Sequence, residues 1–457
     1  MKRIDILPDD VLLEIFDFYL IIPSYAGNPR YKAWKSLVHV CRRWRILVFG
    51  SPRRLDLRLY CTPRTPGALD VWPALPLVVS ADKCSILGTD SIIFAALEQS
   101  SRVCSVDLVN LADRQLEIVS AAMQVPFPEL TYLRLCSYGA YSTSVPVIPD
   151  SFLGGSAPCS QFFSLEGIPF PGSPKLLLSA TRLVKLWLYH IPHSGFILPE
   201  AMVALLCALS SLESFSLNLQ PPPHRPDWEA RRPPPPKRSI LPALEIFHFQ
   251  GATEYLEDLV TLIDTPKLQI LDIIFLDQID FDTQRLSQFI NRAPKPSKRD
   301  EAHVEFCDHD RAFVWSTILS IFIHCREPRR RLSSVARICN PSLSLTGTVE
   351  DLYIEVNNRS TEKYWYDDSI ENTLWLQLLR PFTAVKNLYL DEELAPDIAA
   401  ALQELVGARM TEVLPSLQTI FVRKPERSRA FQENIWQFVE ARQLSVHPIS
   451  ISDWISY

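Results

Sequence analysis

Leu183-Val184-Lys185-Leu186-Trp187-Leu188 carries the pattern that decides the fold: apolar-x-x-apolar-x-apolar. Its last three residues alternate, so Leu186 and Leu188 share one side of a strand while Trp187 faces the other. The same spacing begins at Val103, Leu130, Leu212, Leu244, Leu268, Val349, Val385 and Leu417. Most successive starts lie 24 to 36 residues apart. Two longer gaps, of 53 and 81 residues, have room for degenerate copies at Phe162 to Leu165, at Val304-x-Phe306 and at Leu319-x-Ile321-x-Ile323. Leu55-x-Leu57-x-Leu59 and Leu75-x-Leu77-x-Val79 read as further strands ahead of the first copy. Helical spacing fills the intervals at Ser91 to Leu97, Leu111 to Met123, Glu200 to Leu209, Tyr255 to Ile263, Thr283 to Ile290, Ile370 to Leu379, Ile398 to Val406 and Phe431 to Val439.

A short strand followed by a helix every 25 to 35 residues or so is the mark of a solenoid, in which each unit buries its apolar side against its neighbours. Residues 53–450 resemble the irregular leucine-rich repeats often attached to F-boxes, which implies an α/β fold with one curved parallel sheet. The Asn or Cys usual three residues after the last apolar position occurs once, as Asn357. A pair of doubly wound domains is the alternative architecture. Two proline-rich insertions, 220–239 with prolines at 221–223 and 233–236, and 291–300, read as extended solvated loops. Such segments can also serve as ligands for aromatic-grooved domains.

Ahead of the repeats, residues 1–50 form a helical module. Leu7-Pro8-Asp9-Asp10 opens a helix, with Pro8 free of any donor to lose and two carboxylates at the positive end of the dipole. Val11, Leu12, Ile15, Phe16, Tyr19 and Leu20 follow on one face, and after a break at 23–29 a second apolar series runs from Trp34 to Val48. A module of this size has too little interior for so many large side chains, so part of the surface is expected to face a partner. Leu7, Pro8, Val11, Leu12, Ile15 and Phe16, then Trp34, Leu37, Val40, Cys41, Arg43 and Trp44, are similar to the F-box. The 21–33 segment is longer than that family's usual link. The resemblance implies that these residues, Arg43 apart, bind the Skp-type adaptor of a cullin-RING ubiquitin ligase, and that the remaining chain selects a protein target.

The chain of 457 residues is 47% hydrophobic and 21% charged, a globular composition. A net charge of -6 gives no general affinity for nucleic acid. Ten cysteines are scattered without a C-x-x-C pair. With no apolar leader after Met-Lys-Arg-Ile-Asp, they are expected to be reduced thiols of the cytosol or nucleus, where the sequon at Asn358 is inert. No apolar run reaches the roughly 18 residues of a membrane span.

Thirteen glycines and no phosphate-loop, dinucleotide, nucleophile-elbow or H-E-x-x-H motif leave no assignable catalytic residue or cofactor. His303, Glu305, Cys307 and His309 are metal ligands by type. On a strand, however, alternate residues stand about 7 Å apart, too far for one ion to gather them, so the cluster reads as a polar face over Val304 and Phe306.

The position between the last two apolar residues of each copy points away from the core. That row is Asp107, Arg134, Trp187, Ser216, His248, Asp272, Tyr353, Tyr389 and Phe421. Its aromatics, Trp187, Tyr353, Tyr389 and Phe421, are the expected target-binding residues. The leading expectation is a non-catalytic substrate receptor of a ubiquitin ligase. A leucine-rich-repeat scaffold outside any ligase is the alternative, and an enzyme built on the 303–309 cluster is a third.

Overall fold

A computed structural model of the chain describes residues 7–21, 33–63, 65, 69, 72–82, 92–137, 145–170, 175–220, 238–275, 284–293, 301–307, 311–316, 319–325, 327–339, 347–357, 371–405, 409, 411–423, 429–443 and 448–454. Most of both proline-rich insertions, 221–237 and 294–300, lies outside these residues. The chain divides into two compact units, Met1–Phe196 and Ile197–Tyr457.

The first unit opens with three helices, α1 (Asp9–Ile21), α2 (Ala33–Val38) and α3 (Arg42–Gly50). Pro8 sits just before α1, where its carbonyl accepts from the Leu12 amide at 3.1 Å, and Asp9 and Asp10 occupy the first turn. Cys41 caps α3, its Sγ accepting from the Trp44 amide at 3.5 Å. Arg43 fastens α3 to the start of α1 by donating to Asp9 Oδ1 and, at 2.7 Å, to the Leu7 carbonyl.

Six strands follow, each pairing in parallel with the next: β1 (Leu59–Cys61), β2 (Leu77–Ala81), β3 (Val103–Leu111), β4 (Tyr132–Ser137), β5 (Phe162–Glu166) and β6 (Lys185–Ile191). Short helices at Ile92–Leu97, Asp113–Ala122 and Lys175–Leu178 fall between them. Leu133, Leu135, Phe163, Leu165, Leu186 and Leu188 are fully buried on the inner side. The alternation at Leu55 to Leu59 makes a strand only from Leu59. Asp56 has φ 45°, a left-handed conformation that breaks the pleat, so Leu55 and Leu57 reach the core from a turn.

The second unit holds β7 (Ser214–Leu219), β8 (Ser239–Ile240), β9 (Ile246–Gly251), β10 (Ile263–Asp264), β11 (Ile270–Phe275), β12 (Glu301–Cys307), β13 (Arg311–Ser316), β14 (Leu319–His324), β15 (Asp351–Asn357), β16 (Asn387–Leu390), β17 (Thr419–Val422) and β18 (Ser450–Asp453). Its sheet runs β7-β9-β11-β14-β13-β12-β15-β16-β17-β18, and β8 pairs with β10 apart from it. Every described pairing is parallel except β12 with β13 and β13 with β14. The expected wholly parallel sheet is therefore corrected by a three-stranded meander. Only residues 308–310 and 317–318 separate its strands, and links that short cannot carry a chain back for a parallel pairing.

Burial alternates along β9, β11 and β12, so there one side of the sheet is core and the other half-exposed, whereas β7 is buried along its whole length. Strand order follows chain order but for the meander. Neither feature suits a doubly wound domain, which buries both sheet faces and reverses its order at a switch point. Strand–helix units laid side by side in this way make each unit a leucine-rich-repeat-like solenoid.

Successive helices are also tied to one another. The buried Glu257 carboxylate, on helix Thr253–Leu262, accepts from the Arg285 and Leu286 amides at 3.0 and 2.9 Å, capping the next helix, Gln284–Arg292. Negative charge there meets the positive end of the helix dipole.

Candidate functional site

In the second unit the outward residues line up in register across the strands. Ser216 lies beside His248, His248 beside Asp272, and Asp272 beside Ser320. The row continues through Trp315, His303, Tyr353, Tyr389 and Phe421 to Ser452. Its aromatic half is one stack. Ring centroids lie 3.7 Å apart for Trp315 and His303, 4.2 Å for His303 and Tyr353, 4.2 Å for Tyr353 and Tyr389, and 4.6 Å for Tyr389 and Phe421, all within 10° of parallel. Neighbouring strands are spaced about 4.8 Å apart, so identical register brings ring against ring.

Trp454 stands across this stack, inclined to Tyr353 and Tyr389 at 5.9 and 5.6 Å. The Arg423 guanidinium lies 4.6 Å from the Trp454 ring and pairs with Asp391 at 3.2 Å and Glu355 at 3.7 Å. Burial pushes the Tyr353 hydroxyl above the ordinary tyrosine range. Tyr389, by charge and by hydrogen bond, and the carboxylates of Glu301 and Asp351 push it the same way. Tyr389 is raised too, by burial first and then by Asp351.

The first unit has a different outward face. Asp107, Arg134, Ser164 and Trp187 are in register. Phe162 stacks on Tyr132 at 4.4 Å and meets Trp187 edge-on at 4.9 Å. Burial raises the Asp107 carboxyl against the opposing pull of Arg134.

Of the expected target-binding residues, Tyr353, Tyr389 and Phe421 come together in one stack, while Trp187 belongs to the aromatic group of the first unit. His303, Trp315 and Trp454 are additions to that set. Alternation across 301–316 marks His303 and Trp315 as outward, but their neighbours depend on the meander. Val304 and Phe306 are fully buried beneath, while His303, one of the four members of the expected polar face, is sandwiched between two rings. His309 lies outside the described residues, among which no group of three metal-ligating side chains is placed to hold an ion.

Register also aligns Ser216, His248 and Asp272, and His248 Nδ1 lies 2.7 Å from Asp272 Oδ2. Ser216 is 1% exposed, so the group has no accessible nucleophile.

The F-box-like residues divide by exposure. Leu12, Phe16, Trp34 and Leu37 are buried. Phe16 packs on Trp44 at 4.6 Å, and Trp34 meets Trp72 at 5.5 Å and donates through Nε1 to the Arg58 carbonyl at 3.2 Å. Leu7, Cys41 and Trp44 are half-buried, whereas Pro8, Val11, Ile15 and Val40 are exposed. Phe18, Tyr19 and Ile46 are exposed beside them on α1 and α3, Phe18 at 71% and Ile46 at 61%.

No protein-family model matches the chain, and no curated protein matches it. Among solved structures it is similar to the leucine-rich repeat-containing protein LegL7 from Legionella pneumophila, at 12% identity and a TM-score of 0.29, over 70% of this chain and 93% of that one. The repeat fold rests on strand order and register.

Proposed function

We propose that the chain is the substrate receptor of an SCF-type cullin-RING ubiquitin ligase. In this reading α1 to α3 dock on the Skp-type adaptor, the repeat array captures a protein target, and other subunits do the chemistry, in the cytosol or nucleus. The observation that carries it is the apolar surface of the helical trio: Val11, Ile15 and Val40, with Phe18, Tyr19 and Ile46, remain in water after Leu12, Phe16 and Trp34 have filled the core. On α1 the exposed Val11, Ile15 and Phe18 follow one another at helical spacings of four and three, and an apolar stripe left in water on so small a module calls for a partner. Among the described residues no helix is long and apolar enough to cross a membrane.

Co-precipitation of the full chain with the adaptor is the test. Each exposed apolar anchor buried on docking contributes on the order of 1.5 to 3 kcal/mol, so Ile15→Ser with Val40→Ser should abolish recovery while the thermal unfolding curve holds. Recovery unchanged in a folded double variant would sink the docking assignment.

A second reading is a leucine-rich-repeat scaffold outside any ligase, with the helical trio as an end cap. It is favoured by the way Trp34 seats on Trp72 and Arg58, joining the trio to the start of the array. An end cap needs no adaptor, so the same experiment separates the two readings.

A further inference from the structure

The ring strip of the second unit runs between two lines of carboxylates. Two residues before His303 and Tyr353 along their strands stand Glu301 and Asp351, and two residues after them stand Glu305 and Glu355. Asp391 follows β16 on the second side. The outward positions of β12, β15, β16 and β17, counted to the residue after each strand where it is described, carry four carboxylates that reach the surface, Glu301, Glu305, Asp351 and Glu355, and a fifth, Asp391, that is 5% exposed, against one guanidinium, Arg423. That guanidinium is already shared between Asp391 and Glu355. Arg311 lies a row further out, at the far end of the meander. The first unit lacks this segregation: Lys185 and Arg134 are mixed there with Asp107 and Glu166.

We infer that this strip binds an arginine- and lysine-rich segment of a protein, laid across the strands along the ring stack. The segment's backbone follows the rings, and its side chains alternate to the two flanks. Two residues along a strand span roughly 7 Å, a distance that the stem of a lysine or arginine covers with its charged head at the carboxylate. The stems are apolar and pack on the ring edges and on Trp454 as they pass. Guanidinium heads suit the flanks best, because a carboxylate accepts from them in pairs. Phosphate backbones and anionic membranes meet like charge here and are disfavoured.

The inference rests on the reading that targets are held by the repeat array, but not on the ligase. Failure of peptide binding leaves adaptor docking standing, and loss of adaptor docking leaves this face standing.

The test is fluorescence anisotropy on the full chain with a labelled peptide of alternating arginine and serine, and with its glutamate counterpart, near physiological salt. The arginine peptide should bind and the glutamate peptide should not. Glu301→Gln with Glu355→Gln should weaken binding about tenfold or more, as removal of partly desolvated charge partners does. Glu98→Gln with Glu117→Gln, an equal charge change in the first unit just after helix Ile92–Leu97 and on helix Asp113–Ala122, should shift it less than about twofold, because separated surface charges are screened. Should the first pair lower the unfolding temperature, Glu301→Gln alone replaces it, with a loss of about threefold expected for one rim charge. Equal losses from the two pairs would reduce the effect to net charge and overturn the inference. Binding of the glutamate peptide, or no binding of the arginine peptide, would overturn it as well.

Discussion

The helical trio and the ring strip both display large apolar side chains, but they hold them differently. Phe18 and Ile46 stand in water on α1 and α3, whereas Tyr353 and Tyr389 lie ring on ring at 4.2 Å with Trp454 across them. An exposed side chain adds little to folding, so its presence points outward, to something it meets. A stacked one contributes to the fold through its neighbours and has a structural reason to exist even with no ligand. Loss of binding therefore speaks directly on the trio. On the strip it speaks only when stability is measured beside it.

The sharpest contrast lies within the F-box-like set itself. Trp34 is buried against Trp72 and Phe49, so Trp34→Ala should cost about 3 to 5 kcal/mol in urea unfolding, as large core truncations do. A neutral outcome would break the division of the trio into core and display. Next is Tyr353→Ala at the centre of the stack, which should cost about 1 to 3 kcal/mol, with Tyr353→Phe closer to wild type because the ring stays.

The same tyrosine carries a pH signature. Its hydroxyl is raised above 10.0, the ordinary value, so its stabilising effect is whole below that value and is lost as pH rises toward the folded-state value. Ultraviolet titration should show a late-ionising tyrosine that Tyr353→Phe removes. The smallest effect belongs to Phe18→Ser, within about 0.5 kcal/mol of wild type in the same unfolding assay, since it leaves water for water. A cost near that of Tyr353→Ala would erase the distinction between the two surfaces.

Most of the fold was legible because one-sided burial writes itself into each strand. The copy beginning at Leu183 becomes β6 from Lys185, and the copy at Val385 becomes β16 from Asn387, with the inward leucines buried in both. The meander was less legible. Val304, Phe306, Ile321 and Ile323 mark strands, but alternation carries no direction, and direction was decided by the two short links. Helix Pro328–Ile338 was hidden by the run Arg329 to Arg331. Arg331 turns inward and donates through Nε to the Cys325 carbonyl at 2.9 Å, filling a place that hydrophobic periodicity assigns to an apolar residue.

The candidate site followed the same rule. Tyr353, Tyr389 and Phe421 could be read as a row because each occupies the same place in its copy of the pattern. His303 and Trp315 join them only through strand pairings that sequence spacing does not encode. Trp454 lies beyond the last copy, brought to the rings by the end of β18.

The meander of β12, β13 and β14 has a consequence for how such a chain can change in length. A purely parallel array tolerates loss or duplication of one strand–helix unit almost anywhere, because each unit presents the same edges to its neighbours. Here β14 offers its edge to β11 and β12 offers its own to β15, while β13 runs against both. Removing β12 alone, or β14 alone, sets β13 beside β15 or β11 at the wrong polarity, so β13 can be inherited or deleted only together with a neighbouring strand, while the repeats on either side grow and shorten one unit at a time.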